Sequence, residues 1–260
     1  ARVLANRVWH WLFGAGLVRT TDNFGTTGEL PSHPELLDYL ATRLVDQEWS
    51  IKSLLRELVC TRTYRLSSRP SSSGMTRDPE NRLLWRMNRR RLDAESLLDA
   101  ILSISGRLRT DMGGPQIRTG TATDYNYLHD SNRRALYWPV LRNSLPELFR
   151  VFDFANPSMV TGRRENSSTT PQALFLMNNP WVLQQADYAA ESLLDLPHLD
   201  DARRIQLVVT AAFGRPPTVS ESESLLVFVG SENDDKTPRK QKWSQLIQAL
   251  FGSVDFRYVR

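Results

Sequence analysis

Along most of the chain, apolar residues recur at helical spacing, in stretches bounded by residues that start or stop helices. From Ile51 to about Cys60 the leucines fall on one side of a helix, and Ser50 before them is a suitable N-terminal cap. This pattern predicts a mainly α fold, a multi-helix, orthogonal bundle-like domain with long irregular loops. At most a small β element is expected around 134–140, where RALYWPV contains strand-forming residues and one proline.

Prolines and capping residues predict several helix boundaries. They indicate a first helix over 1–13, a second that Ser32 caps and Pro34 begins, a linker at 67–76 followed by a short helix from Asp78 to Trp85, a brief helix from Pro146 to Phe152, and one long helix from Pro171 to about Leu194. Further capping signals are Asp93 before a leucine-rich stretch and the pair Thr218 and Glu221.

The domain organisation follows from the same patterns. We expect a single domain over 1–260, with sub-lobes at 1–109 and 134–260 joined by an irregular loop at 110–133 that is rich in glycine and hydroxyl residues. The first residues, ARVLANRVWHWLFG, already have a helical pattern and lack the features of a signal peptide. The chain is therefore expected to be a fragment of a longer protein. No apolar run approaches 18 residues, so we predict no membrane span.

Composition disfavours several classes of protein. The net charge is +4, and the densest basic cluster, which is all arginine, lies within 82–91 without any nucleic-acid docking motif. Nucleic-acid binding is therefore not favoured. Cys60 is the single cysteine, which rules out an internal disulfide, and we interpret it as a small buried hydrophobic residue. No two of the four histidines have the i, i+4 spacing of a zinc pair on a helix, so no metal site is predicted.

The stretch from Asp153 to Pro180 is the best candidate for a binding site. An arginine-bearing loop leads into a strong helix start, and helix N-termini attract anions. The predicted ligand-binding residues are Arg133, Arg134, Asp153, Arg163, Arg164, Thr169, Thr170 and Gln172. Arginine suits a carboxylate, phosphate or sulfate because its planar fork donates two parallel hydrogen bonds. The alternative is that these arginines tie loops to backbone carbonyls and to Asp153 and Glu165.

Catalytic motifs are missing from the sequence. It contains no G-x-S-x-G elbow, no P-loop and no dinucleotide-binding glycine fingerprint. His129, with Asp124 and Asp130 nearby, is the histidine best placed for acid–base chemistry, and its alternative is an ordinary exposed loop histidine. Asp124, Asp130, Asp153 and Glu165 are loop carboxylates that a glycoside hydrolase could use, if two of them face each other across a cleft.

Four segments in order carry a family resemblance: RVWHWLFGAGLVRTTDNFGTTGELPSHPELLDYLA, DPENRLLWRMNRRRLDAESLLDAIL, GRREN with TTPQALFLMNNP, and FGRPPT. In order and spacing they resemble the planctomycete domain of unknown function 1553 over essentially the whole chain. The resemblance implies the C-terminal part of a long exported protein, located in the periplasm or cell envelope, with a c-type cytochrome-like domain upstream. It brings no established activity and no catalytic residues. Because the chain has no C-x-x-C-H, any haem belongs to that upstream region, and no cofactor is expected here.

Three functions remain open at this point. The first is a binding or scaffolding module with an anion or carbohydrate cradle near 153–172. The second is an enzyme domain acting on anionic polysaccharide, coupled to the upstream redox domain. The third is a structural partner that docks the upstream domains of the same polypeptide. Convergence of Arg134, Asp153 and Arg163 on an open pocket would favour the first two, whereas mutual pairing of buried side chains would favour the third.

Overall fold

A computed structural model describes residues 1–114, 117, 119–230 and 238–259. The mainly α prediction is confirmed, because helices account for most of the regular structure. The helices are α1 (Arg2–Phe13), α2 (Pro34–Asp46), α3 (Ile51–Val59), α4 (Ser72–Arg77), α5 (Ala94–Ile104), α6 (Glu147–Val151), α7 (Thr170–Asn178), α8 (Pro180–Leu194), α9 (Asp201–Phe213), α10 (Val219–Gly230), α11 (Arg239–Gly252) and α12 (Val254–Arg257). Two short strands, β1 (Arg90–Arg91) and β2 (Tyr258–Val259), pair antiparallel.

The chain divides into two compact units. Unit 1 contains Ala1–Arg91, Thr161–Arg163 and the C-terminal residues from Tyr258, and unit 2 contains Leu92–Val160 and Arg164–Arg257. The division after Arg91 leaves only Leu92 before Asp93, the cap of α5. The expectation that residues 1–260 form a single domain stays a prediction. None of the helices in the described ranges is long and apolar enough to cross a lipid bilayer.

Unit 1 is built on α1, α2 and α3, which bury their apolar sides against one another. The loop after α1 is held to this core by the buried side chain of Asn6. Its Nδ2 donates to the carbonyl oxygen of Val18 at 3.0 Å, and its Oδ1 accepts from the Val18 amide at 2.9 Å. Gly16 makes this return possible, because a Cβ there would lie 2.4 Å from the Val18 carbonyl oxygen.

Unit 2 has a larger core, in which α8 packs against α11 and both contact α7. The fully buried Trp243 and Phe251 of α11 are among its largest side chains. Several predicted starts are confirmed here. Asp93 caps α5, accepting from the Ser96 amide at 2.8 Å. Thr218 directly precedes Val219, the first residue of α10, and exchanges hydrogen bonds with Glu221 as the predicted pair.

Four local predictions in unit 1 are wrong. The N-cap of α2 is His33, since the Ser32 hydroxyl hydrogen-bonds the His33 ring instead. The predicted linker contains α4, which Ser71 caps. The span 78–85 forms turns because the Asp78 carboxylate accepts from the amides of Arg82 and Leu83. Cys60 is exposed, at the C-terminal end of α3.

Two further corrections concern unit 2. The strand expected at 134–140 is a 3-10 turn over Ala135–Tyr137, because the Ala135 amide donates to the Asp99 carboxylate at 2.7 Å rather than to a neighbouring strand. The long helix expected from Pro171 to Leu194 is two helices. Pro180 cannot donate a backbone hydrogen bond, and Asn179 before it is extended and accepts from the Trp181 amide at 3.0 Å.

An ion-pair cluster in unit 2 should make stability depend on acid pH. Arg215 donates to Glu221 at 2.7 Å and to Asp255 at 3.0 Å, and its guanidinium holds the pKa of Glu221 at about 2. A lowered folded-state pKa stabilises the fold above the ordinary value, and that contribution is lost as pH falls toward the folded value. We expect wild type to be more stable than Glu221→Gln at pH 7, with a gap that narrows between about pH 4.5 and pH 2. Urea unfolding across this range measures the gap, and a constant gap would contradict the assignment.

Candidate functional site

The loop before α7 is organised by a polar network around Asp153. This residue has a positive φ of 57°, and its carboxylate accepts from the amide of Ser167 at 2.9 Å and from its hydroxyl at 2.8 Å. Gln172 is fully buried and donates to the Val151 carbonyl oxygen at 3.1 Å. The network connects the end of α6 with the start of α7.

The predicted start of α7 is confirmed. Thr169 is the N-cap, Thr170 is the first helical residue and Pro171 lies in the first turn. The Thr169 amide donates to Oε1 of Gln172 at 3.4 Å, which is one arm of a capping box. Both polar atoms of the Gln172 side chain are thus engaged within the chain.

Arg133 and Arg134 have partners outside the 153–172 stretch. Arg133 contacts the Asp111 carboxylate at 3.0 Å, donates to the Gly113 carbonyl oxygen at 2.6 Å and lies over the ring of Tyr137. Arg134 donates to Asp99 on α5 at 3.2 Å. These contacts support the alternative in which arginines tie irregular loops to the helices.

Arg164 makes a two-point ion pair with Glu95. Its two terminal nitrogens donate to the two oxygens of Glu95 on α5 at 2.6 and 2.8 Å, and its guanidinium lies over the ring of Phe154. The hydrogen bonds to Glu95 raise the pKa of Arg164 above its ordinary value. The acidic partners of the arginines are Asp111, Asp99 and Glu95, whereas the sequence had suggested Asp153 and Glu165. Arg163 is part of unit 1, where it lines a separate cleft.

A pocket of about 320 Å³ in unit 2 lies beside the predicted stretch. Its apolar wall includes the rings of Tyr127, Trp138 and Trp181, and its polar groups include His129, Glu147, Arg150 and Asn179. A neighbouring cleft of about 480 Å³ shares Glu147 and Arg150 with it and extends to Asp153, Ser167 and Thr169. The helix α6 therefore connects the pocket to the 153–172 stretch.

His129 is fixed in this pocket by its ring contacts. Nε2 lies 2.8 Å from the Ser144 carbonyl oxygen, and the ring stacks on Trp138 with centroids 5.5 Å apart. Because a carbonyl oxygen only accepts, Nε2 carries the hydrogen and Nδ1 of the neutral ring is an acceptor. Burial lowers the pKa of His129, against the opposing effects of Ser144 and Asp130. Nδ1 is buried without a hydrogen-bond partner among the described groups.

The polar groups of the pocket differ in how they are engaged. Asn179 donates to Glu147 at 3.0 Å, so the carboxylate and the amide are held together at the pocket. Arg150 is exposed, and within the described part of the chain its side chain makes no hydrogen bond or ion pair. An available guanidinium beside a fixed carboxylate and amide can orient a polar ligand whose apolar side rests on the aromatic rings.

Sequence patterns alone pointed to His129 but missed the rest of this pocket. They suggested Asp124 as its neighbour, whereas Asp124 accepts from Asn143 at 2.9 Å. The available signal was the Asn179-Pro180 pair, which breaks the helix and brings Asn179 and Trp181 to its new start. Over the residues described, no three His, Cys, Asp or Glu side chains are grouped as metal ligands would be.

Comparison with curated proteins finds no match, and comparison with solved structures finds none either. A family model described as "PSD1: Protein of unknown function (DUF1553)" matches residues 1–229, which is most of the chain. The motif resemblance is thereby confirmed, and the chain belongs to this family of unknown function.

Proposed function

We propose that this chain is a carbohydrate-binding module of a larger extracytoplasmic protein, and that the unit 2 pocket binds the sugar. One observation carries the proposal: a single pocket of about 320 Å³ brings together aromatic rings, the hydrogen-bonded pair of Glu147 and Asn179, and the guanidinium of Arg150, which is unpaired among the described residues. A pyranose ring has an apolar face of C–H groups and a rim of hydroxyls. The rings of Tyr127 and Trp181 suit the face, and Glu147 with Asn179 suits the rim.

Arg150 favours an anionic sugar over a neutral one. It lines both the pocket and the neighbouring cleft, and it has no carboxylate partner among the described residues. A uronic acid could accept its two parallel hydrogen bonds. The family resemblance supports the extracytoplasmic location, the upstream cytochrome-like domain and contacts with the other domains of the same polypeptide. The lack of a C-x-x-C-H sequence supports placing any haem in that upstream domain and not in this chain.

Calorimetric titration with neutral and uronic-acid oligosaccharides tests this proposal. We expect wild type to bind an acidic oligosaccharide more tightly than its neutral counterpart, and Arg150→Gln to remove that preference. Glu147→Gln should weaken both by about tenfold, since it weakens hydrogen bonding to the hydroxyl rim. Glu147 and Arg150 are exposed, so both variants should fold.

Arg142→Gln is the matched control, because Arg142 is an exposed arginine of the same unit that lines neither opening. It should bind as wild type does. No binding of any sugar by wild type at millimolar concentration would overturn the proposal. Equal affinities in wild type and both pocket variants would do the same.

A second candidate function is hydrolysis of anionic polysaccharide. Glu147 and Asp153 line the same cleft, and glycoside hydrolysis requires two carboxyl groups on either side of the bond that breaks. Incubation with a polysaccharide panel should then release products, and Asp153→Asn should stop the release. Undiminished release by that variant would remove Asp153 from any mechanism.

A further inference from the structure

A second cleft, of about 300 Å³, lies within unit 1 at the C-terminal end of α1. Its charged lining consists of Arg19, Glu80, Arg89 and Arg163, and His10 completes the titratable groups. Arg19 donates to the Glu80 carboxylate at 3.1 Å, so these two charges offset each other. Arg89 and Arg163 are exposed and make no hydrogen bond or ion pair with any residue that the structure describes. The cleft therefore holds two available guanidinium groups.

The segment that carries Arg163 is anchored in unit 1. The Gly162 amide donates to Oδ2 of Asp22 at 3.1 Å. A Cβ at Gly162 would lie 1.1 Å from Oδ1 of Asp22, so the carboxylate can approach this closely only because the residue is glycine. This anchor places Arg163 at the cleft.

The segment that carries Arg89 is anchored as well. The side chain of Asn88 donates to the Phe13 carbonyl oxygen at 2.9 Å and accepts from Asn81 at 2.9 Å. The Arg90 guanidinium donates to the carbonyl oxygen of Trp11. The residues on both sides of Arg89 are thus bonded to the end of α1. Because this segment is already held in place, less conformational entropy is lost when Arg89 binds a ligand than in a mobile loop.

The pKa of His10 is affected by the positive charges of the cleft. Burial lowers its pKa, and the charges of Arg163 and Arg90 lower it further. Its Nδ1 is buried and has no hydrogen-bond partner in the described structure. A bound anion would offset the two arginine charges and favour the protonated ring.

We propose that this cleft binds a small tetrahedral oxyanion, a phosphate or sulfate group, between the guanidinium groups of Arg89 and Arg163. Guanidinium groups match such oxygens with paired, charge-assisted hydrogen bonds. At about 300 Å³, the cleft also has room for the organic part of a small monoester. The site lies in unit 1 and is independent of the sugar pocket of unit 2.

Calorimetric titration of the chain with inorganic phosphate, inorganic sulfate, glycerol phosphate and methyl sulfate at constant ionic strength tests the proposal. We expect saturable binding, weakened by about tenfold or more in Arg89→Gln and in Arg163→Gln. Tighter binding of the monoesters would identify an ester as the ligand class, and tighter binding of the inorganic ions would identify the free oxyanion. Arg62→Gln, an exposed arginine of unit 1 outside the cleft, is the control and should bind as wild type does.

Sulfate also tests the role of His10, because sulfate keeps its charge across neutral pH. The charged groups around His10 are Arg19, Glu80, Arg89, Arg90 and Arg163. Since the anion raises the pKa of His10, sulfate affinity should increase as pH falls, and His10→Gln should remove this increase. Absence of saturable binding of all four probes by wild type, or unchanged affinity in both arginine variants, would overturn the proposal.

Discussion

Replacement of Arg204 with methionine should lower the free energy of unfolding by about 3 kcal/mol, because it removes a buried donor from several carbonyl oxygens. Arg204 is 9% exposed. Its guanidinium donates to the carbonyl oxygens of Leu193 at 3.2 Å and Leu196 at 3.1 Å, and also to that of Leu199. These groups lie at and beyond the C-terminal end of α8, where helix carbonyls have no partner within the helix.

Urea unfolding followed by circular dichroism measures this effect. Arg203→Met is the matched control, because Arg203 precedes Arg204 on α9 but is exposed and donates to Gln206 on the same helix. We expect it to change stability by less than about 0.5 kcal/mol. Equal unfolding midpoints for the Arg204 variant and wild type would show that the guanidinium does not hold the end of α8.

Gln172→Leu should lower the free energy of unfolding by about 2 kcal/mol, although leucine is apolar and similar in size. Gln172 is fully buried, and its side chain contacts the Val151 carbonyl oxygen and the hydroxyl of Ser167, both at 3.1 Å. The variant would leave the carbonyl oxygen of Val151 and the amide of Thr169 without this partner. Amide hydrogen exchange at Ser167 should become faster, since its bond to Asp153 belongs to the same network.

Gln184→Leu on α8 is the control, because Gln184 is exposed. It should unfold with wild type and leave exchange at Ser167 unchanged. Unaltered stability and exchange in Gln172→Leu would mean that the loop before α7 is held by other contacts.

Local signals explain which helices could be predicted from the sequence. The starts of α5, α7 and α10 were predicted because a cap and its partner lie within three residues of each other. The apolar pattern continues through Asn179-Pro180, so it predicts one helix where the structure has α7 and α8. The helix is interrupted there because Pro180 has no backbone N–H to donate. The strand expected at 134–140 failed because Asp99, far away in the sequence, bonds the Ala135 amide.

The candidate site was harder to predict because its contacts are distant in sequence. Arg164 lies 69 residues from Glu95, and no local pattern links them. The polar network around Asp153 likewise depends on the packing of α6 near α7, which no local sequence pattern specifies. As a ligand site, the 153–172 stretch stays a prediction, and in the structure its side chains support the loop beside the aromatic pocket. The paired arginines also favour a structural role for part of this surface.

The most direct test of the sugar-binding proposal is nuclear magnetic resonance of the tryptophan indole N–H groups during titration with an acidic oligosaccharide. Trp138 and Trp181 line the pocket, whereas Trp243 is fully buried in the core of unit 2 and Trp9 belongs to the core of unit 1. We predict saturable shifts for Trp138 and Trp181, with Trp243 and Trp9 unchanged. Shifts confined to tryptophans outside the pocket, or no shift at all at millimolar sugar, would contradict the proposal.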